Sequence, residues 1–298
     1  MSLILFTNGF WPGFATKKDG THVGFFEYIL GAVSGKQIMS TDNPNDIEHA
    51  DILLESHFMN KSPSYIHAKK WKLTLFFSGE VIHPYPAHHL EYDIVLGTNE
   101  SEINRIGCPL YILYQFCKPE YVHKVDKPVS AVPSGNVCAI IRQCHENSFR
   151  NFFIDTLMRY GIDVDMGGLY RNNTGHIISG DWHSPALQDF QAQYKCILAL
   201  ENGVDEYYIS EKIINPLYAG VVPIYYGCPR VGSYINEKRI ICVSESNYMD
   251  AIEEIQKLLL DNNKFLEMVR QPVFIRPYTD IIDDIIARIR SRIATISL

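Results

Sequence analysis

Short apolar runs alternate with amphipathic stretches along most of this chain, and that alternation restricts the fold more than any other feature. LILF (residues 3–6), ADILLE (50–55), WKLTLFF (71–77), YDIVLG (92–97) and LYILY (110–114) read as strands of a first half. VCAII (137–141), CILAL (196–200), VVPIYY (221–226) and RIICV (239–243) read as strands of a second. They are apolar throughout rather than at every second position, which suits a parallel sheet buried on both faces. Helical patterns lie between them, at THVGFFEYIL (21–30), NSFRNFFIDTLMRYG (147–161) and around 211–219 and 248–260. In the 147–161 stretch the apolar residues fall at 149, 152, 153, 157 and 160, with Asn147 or Ser148 as cap and Gly161 as stop. The last stretch, YTDIIDDIIARIRSRIATI, sets isoleucines at 281, 282, 285, 286, 289 and 293, the stripe of a long amphipathic helix.

The alternation breaks once. KPEYVHKVDKPVSAVPSGN (118–136) carries prolines at 119, 128 and 133 and few aliphatics, the composition of a linker. The expected architecture is therefore α/β, with two Rossmann-like domains facing each other across a cleft and a C-terminal helix closing the arrangement. Residues 1–125 form the first domain and 134–275 the second, and the helix of 276–298 packs back toward the first.

Composition removes several classes of function. The 298 residues are 46% hydrophobic and 20% charged, a globular balance. Net charge is −7 with no run of Lys or Arg, so nucleic acid, which demands a concentrated basic face, is not the expected partner. Seven cysteines make an odd count without a C-x-x-C pair, and several sit in apolar runs, as reduced core thiols do. MSLILFTNGFWPG lacks the positive segment of a signal peptide, and no window reaches the ~18 apolar residues of a membrane span. The expected protein is soluble and cytoplasmic.

In open α/β sheets ligands bind beyond the carboxyl ends of the strands. ENGVDEYYISEK (201–212) directly follows one such end. Ser210 is a good N-cap and puts Glu211 and Lys212 in the first helical turn, where unpaired N–H groups and a lysine suit a polyanion such as a diphosphate. The same residues fit a plain capped helix with a solvated lysine equally well. Pro216 falls inside this helix, which is therefore expected to be kinked or short. Arg150 opens the other helix at the end of the 137–141 strand, a position that opposes the helix dipole and so favours a bound anion. No G-x-G-x-x-G or G-x-x-x-x-G-K-S/T motif is present, which argues against NAD and P-loop nucleotide binding. In the first half, FFSGEVIHP (76–84) places Glu80 after a Ser-Gly turn, where a carboxylate can act as general base. His83 and Trp11 are candidates for the rim of an acceptor site.

These residues carry a family likeness. ALENGVDEYYISEKIINPLYAGVVPIYYGCP (199–229) resembles the signature of the α-1,3-fucosyltransferase family: F-E-N-S, a short spacer, Y-[VI]-T-E-K, then V-P-[IV]-x-x-G-x-P. FFSGE, YDIVLGTNESEINRIGCPLYILY, NSFRNFFIDTL and VDMGGLYRNNTG resemble further segments of that family, in order, over about residues 71–245. The resemblance implies a GT-B fold and inverting transfer of L-fucose from GDP-fucose to a hydroxyl of an acceptor glycan, with α-1,3 linkage and no metal or other cofactor in the chemical step. It implies that Arg150 and Lys212 contact the diphosphate, and that Asn202, Tyr208, Ser210, Glu211, Gly168 and Asn173 belong to the donor side. Glu80 matches the proposed base, and Glu201 the acid beside the fucose. The chain departs from the pattern at Leu169, Leu200, Gly203, Ser210 and Pro216. Three other readings stay open on sequence alone: a transferase for another nucleotide sugar, a non-catalytic nucleotide-sugar or glycan-binding module, and a glycosidase built on Glu201 and Glu211. The glycosidase gives Arg150 and Lys212 no role.

Overall fold

A computed structural model describes residues 2–17, 21–58, 63–81, 85–122, 125, 131–175, 177, 178, 184–294 and 298. The chain divides into two compact units. The first comprises Met1–Pro119, Asp205–Tyr208 and Arg276–Leu298; the second comprises Glu120–Val204 and Ile209–Ile275.

The first unit holds β1 (Ser2–Asn8), α1 (Gly24–Ser34), β2 (Gln37–Thr41), β3 (Ile52–Ser56), β4 (Leu73–Phe77), β5 (Ile94–Gly97), β6 (Arg105–Gly107) and α2 (Leu110–Cys117). The six strands pair in parallel in the order β2-β1-β3-β4-β5-β6. After α3 (Pro119–Val122), the second unit holds β7 (Gly135–Ala139), α4 (Phe149–Arg159), β8 (Val164–Met166), α5 (Pro185–Gln191), β9 (Tyr194–Leu200), α6 (Glu211–Ala219), β10 (Val222–Tyr226), β11 (Ile241–Cys242), α7 (Tyr248–Leu260) and α8 (Asn262–Val269). Its five strands are parallel in the order β11-β10-β9-β7-β8. In each sheet the strand order reverses once, beside β1 and β3 in the first and β7 and β9 in the second. The crevice at such a reversal is where open α/β sheets bind ligands.

The central strands explain the apolar runs. Every residue of β4, β5 and β9 is buried, as strands covered by helices on both faces must be. In the second unit, Val137, Leu198 and Ile224 of the sheet pack with Phe153, Ile154 and Leu157 of α4 and with Ile252 and Ile255 of α7. In the first, α9 (Tyr278–Arg292) buries Ile281, Ile282, Ile285, Ile286 and Ile289 and packs against α1, α2 and β6.

Two local expectations change. LYILY is not a strand: it opens α2, which follows the extended Pro109. A helix buried nearly all round and a buried strand share the same unbroken apolar run, so periodicity does not separate them. The helix at 211 is not cut short by Pro216. It runs through that buried proline to Ala219 and ends at Gly220, whose φ of 77° is left-handed. Among the described residues, no helix is long and apolar enough to cross a membrane.

Candidate active site

Glu201 continues β9 past its end by donating its N–H to the Tyr226 carbonyl of β10 (2.8 Å). Its side chain is fully buried. Oε1 accepts the Ser210 N–H at 2.7 Å and Oε2 the Ser210 hydroxyl at 2.8 Å. The hydroxyl in turn accepts the Lys212 N–H (3.3 Å), which makes Ser210 the cap of α6. The Lys212 ammonium lies 3.2 Å from Glu201 Oε2, 3.2 Å from Ser210 Oγ and 3.4 Å from Glu211 Oε1, and its side chain keeps 25% of its exposure. Burial, the largest influence, pushes the Glu201 carboxyl above its ordinary range; Lys212 opposes that shift, Glu211 adds to it, and the two Ser210 donors oppose it. Gly227 makes room beneath, since a Cβ there would come within 2.6 Å of Glu201 Cγ.

Arg150 arrives from β7, the neighbouring strand across the reversal. Ser148 caps α4 by accepting the Asn151 N–H (3.3 Å), and Arg150, two residues on, is buried. Its Nη1 donates to Asn202 Oδ1 at 2.6 Å. A slot of about 350 Å³ opens here, lined by Arg142, Arg150, Glu211 and Lys212, by the amides Gln191 and Asn215, and by an apolar wall that includes Ile140 and Leu198. Arg142 from the loop after β7, with Arg150 and Lys212 at two helix N-termini, makes the slot a site for a polyanion with an apolar attachment. Gly168 and Asn173 shape its surroundings rather than line it. A Cβ on Gly168 would meet the Ile141 carbonyl at 2.2 Å, so only glycine lets this loop close on β7. Asn173 ties the loop to β8, accepting from Met166 N (2.7 Å) and donating to the Val164 carbonyl (2.9 Å).

At the carboxyl end of β4 in the first unit, Ser78 is fully buried and donates to the Glu80 carbonyl at 3.2 Å. Its Oγ also lies 3.2 Å from His57 Nε2. The Tyr208 hydroxyl donates to Glu80 Oε2 at 3.2 Å. Beside them, at the reversal between β1 and β3, buried Glu55 accepts from Asn8 Nδ2 (2.6 Å), Ser64 Oγ (2.6 Å), Tyr65 N (2.9 Å) and the Tyr92 hydroxyl. Trp11 is half-buried, donates its indole N–H to the Thr21 carbonyl (3.1 Å) and packs edge-on against Phe14 and Phe58. His83 lies outside the described residues.

The structure thus gathers Arg150, Asn202, Glu201, Ser210, Glu211 and Lys212 in the second unit, and places Glu80 with Tyr208 in the first. Sequence reading missed Arg142, Gln191 and Asn215 in the slot, and His57, Ser78 and Glu55 at the first sheet. His57 and Glu55 stand at the end of the ADILLE run, a position that carried a usable signal; Gln191 sits in a helix that no periodicity announced. Among the described residues, no group of three or more His, Cys, Asp or Glu is arranged to hold a metal ion.

Residues 133–269 match the sequence model of glycosyltransferase family 10 (fucosyltransferase), C-terminal part. The matched segment lies almost wholly within the second unit. Alpha-(1,3)-fucosyltransferase FucT of Helicobacter pylori is 27% identical over 288 residues, covering 82% of this chain and 56% of that protein. Alpha-(1,3)-fucosyltransferase B of Drosophila melanogaster is 32% identical over 145 residues, 47% of this chain and 33% of its own length. GDP-fucose protein O-fucosyltransferase 3 of Homo sapiens is 38% identical over 112 residues, 35% of this chain and 23% of its own. The matches therefore span between about a quarter and about half of those relatives. A crystal structure of an α1,3-fucosyltransferase with GDP superposes with a TM-score of 0.72 at 21% identity, covering 98% of this chain and 90% of that one. One with GDP-fucose does so at 0.69 and 20%. That likeness gives the fold, the GT-B type.

Proposed function

We propose that the chain transfers L-fucose from GDP-fucose to a hydroxyl of an acceptor glycan, forming an α-1,3 linkage by an inverting single displacement. The observation that carries this reading is the slot, where Arg150 and Lys212 stand at two helix N-termini inside the segment that matches the family 10 model. The solved relatives whose fold it shares were crystallised with GDP and with GDP-fucose.

The acceptor oxygen attacks the anomeric carbon from the face opposite the diphosphate. The bond from that carbon to the β-phosphate oxygen breaks, and its electron pair leaves with GDP. Glu80 takes the acceptor's proton, a contribution of roughly 10² to 10⁴ in rate. Arg150, Lys212 and the first amides of α4 and α6 meet the charge that develops on the diphosphate. These cations do what a divalent ion does in other nucleotide-sugar enzymes, and we infer that transfer needs no metal. Glu201 acts from below the surface, by holding Ser210 and Lys212 in place. Asn202 sets the Arg150 guanidinium.

A second acceptor class, a protein hydroxyl, is favoured by the 38% identity to a GDP-fucose protein O-fucosyltransferase. A donor-by-acceptor screen that reads GDP release, with product linkage assigned by NMR and EDTA in a parallel series, tests all of this. The expected result is transfer from GDP-fucose alone, undiminished by EDTA, and slower by about 10² to 10⁴ in Glu80→Gln. Absence of transfer from GDP-fucose to any glycan or peptide overturns the reading.

A further inference from the structure

The slot in the second unit holds a polar side chain that the mechanism above does not use. Gln191 ends α5, shortly before β9 begins, and lines the slot together with Ile178, Leu187 and Ile197. It is only 4% exposed, and among the described residues its Oε1 is buried without a hydrogen-bond donor. The backbone around it is regular. Ser184 caps α5 by accepting the Leu187 N–H (3.3 Å), and the Ala192 N–H donates to the Gln188 carbonyl (2.9 Å). The orphaned oxygen therefore does not belong to a frayed helix end. A buried amide oxygen that meets no donor costs stability, and native folds hold few of them. A turn about the last torsion of the side chain, broad and roughly two-fold in glutamine, presents that oxygen to the slot.

Arg150 and Lys212 stand in the first turns of α4 and α6, at the carboxyl edge of the sheet. Gln191 lies toward the amino end of β9, among aliphatic side chains. A diphosphate belongs with the cations. The aliphatic walls suit the flat faces of a base, whereas the hydroxyls of a sugar would be left there without partners. We propose that Gln191 is a specificity-determining residue for the donor nucleotide: its Oε1 accepts a hydrogen bond from the 2-amino group of guanine. This rests on the GDP-fucose reading above. The buried oxygen lacks a donor, and the exocyclic amine of guanine supplies one. Hypoxanthine, adenine and uracil carry no amine at that position. A base that leaves the oxygen unpaired binds more weakly, because a buried acceptor then stays out of water with no partner.

Inosine 5′-diphosphate differs from GDP only in lacking that amine. Gln191→Met keeps the length and flexibility of the side chain and removes its amide. Calorimetry of both nucleotides against the full chain, wild type and variant, isolates the contact. The wild type is expected to bind GDP about tenfold more tightly than inosine diphosphate, and Gln191→Met to bind the two alike. With GDP-fucose and an acceptor, the donor KM is expected to rise about tenfold in the variant while kcat changes little, since the contact is made equally in the ground and transition states. Without ligand, the variant is expected to unfold at no lower a temperature than the wild type, because an unpaired buried amide is gone. A preference for GDP that survives in Gln191→Met overturns the proposal, and is the result if a water meets Oε1 instead. Equal affinities in the wild type overturn it too, and that measurement needs no variant. Gln191→Leu repeats the comparison if Gln191→Met does not fold. A wild-type chain that binds neither nucleotide overturns the GDP-fucose reading and this inference together, whereas GDP bound with an unaltered preference in the variants overturns the inference alone.

Discussion

A carboxylate taken wholly out of water is stable only when its oxygens are met by donors. Glu201 meets this with Ser210 N–H, Ser210 Oγ–H and the Lys212 ammonium, all from the first turn of α6 or its cap. The sign of its pH effect follows. Its folded pKa lies above the ordinary 4.5, so the folded protein holds this proton more tightly than the unfolded chain. The stability it contributes is fully present below 4.5 and is lost as the pH rises through the raised value. Urea midpoints of the wild type minus those of Glu201→Gln should therefore fall across that window and flatten above it; a difference that rises with pH removes the assignment. Lys212 works outward from the same cluster. Lys212→Met should weaken GDP binding about 10- to 100-fold, the scale of one charged hydrogen bond of about 1.5 to 3 kcal/mol, with the fold unchanged by circular dichroism.

At the scale of elements, the site is a product of where β7, β9 and β10 end. Parallel strands deliver every loop of functional interest to one edge, and the reversal between β7 and β9 brings α4 and α6 to it from different strands. The turn after β10 is as constrained as the loop after β9. At Gly227 an added Cβ would meet both Glu201 Cγ and the Tyr225 hydroxyl at 2.6 Å. Both neighbours are buried, so neither can yield. Gly227→Ala should cost about 1 to 3 kcal/mol in denaturant unfolding, the range for overpacking a close-packed interior. It should also weaken GDP binding, because Glu201 holds Ser210 and Lys212. An alanine variant of wild-type stability and affinity would show that the turn adapts.

At the scale of the whole molecule, the first unit is discontinuous. Its sheet comes from the first 107 residues, while α9, at the far end of the chain, buries five isoleucines within that unit. Ending the chain after residue 275 should therefore unfold the first unit and spare the second. Hydrogen exchange is the direct measurement: amides of β1 to β6 should lose protection and those of β7 to β11 should keep it. Equal protection in both sheets would mean that the first core stands without α9.

The sequence by itself determined the α/β class, since apolar runs of strand length alternating with amphipathic stretches leave a chain few other ways to cover its sheets. It also determined Ser210 as a cap, Arg150 near a helix start and the isoleucine stripe of α9, because capping and helical period act over one or two turns and are written locally. It read LYILY (110–114) as a strand, because a helix buried nearly all round has no period to betray it. Tertiary structure alone decided which carboxylate faces what. Glu201, Glu211 and Glu80 are equivalent letters, yet one is fully buried beneath Lys212, one lines the slot and one receives the Tyr208 hydroxyl. Burial and partnership depend on residues brought together across the fold, such as Arg150 with Asn202, 52 positions apart, and Tyr208 with Glu80, 128 apart. No local pattern carries information over such separations. Only the folded sheet of each unit, with its own strand ends along one edge, brings those side chains within hydrogen-bonding distance.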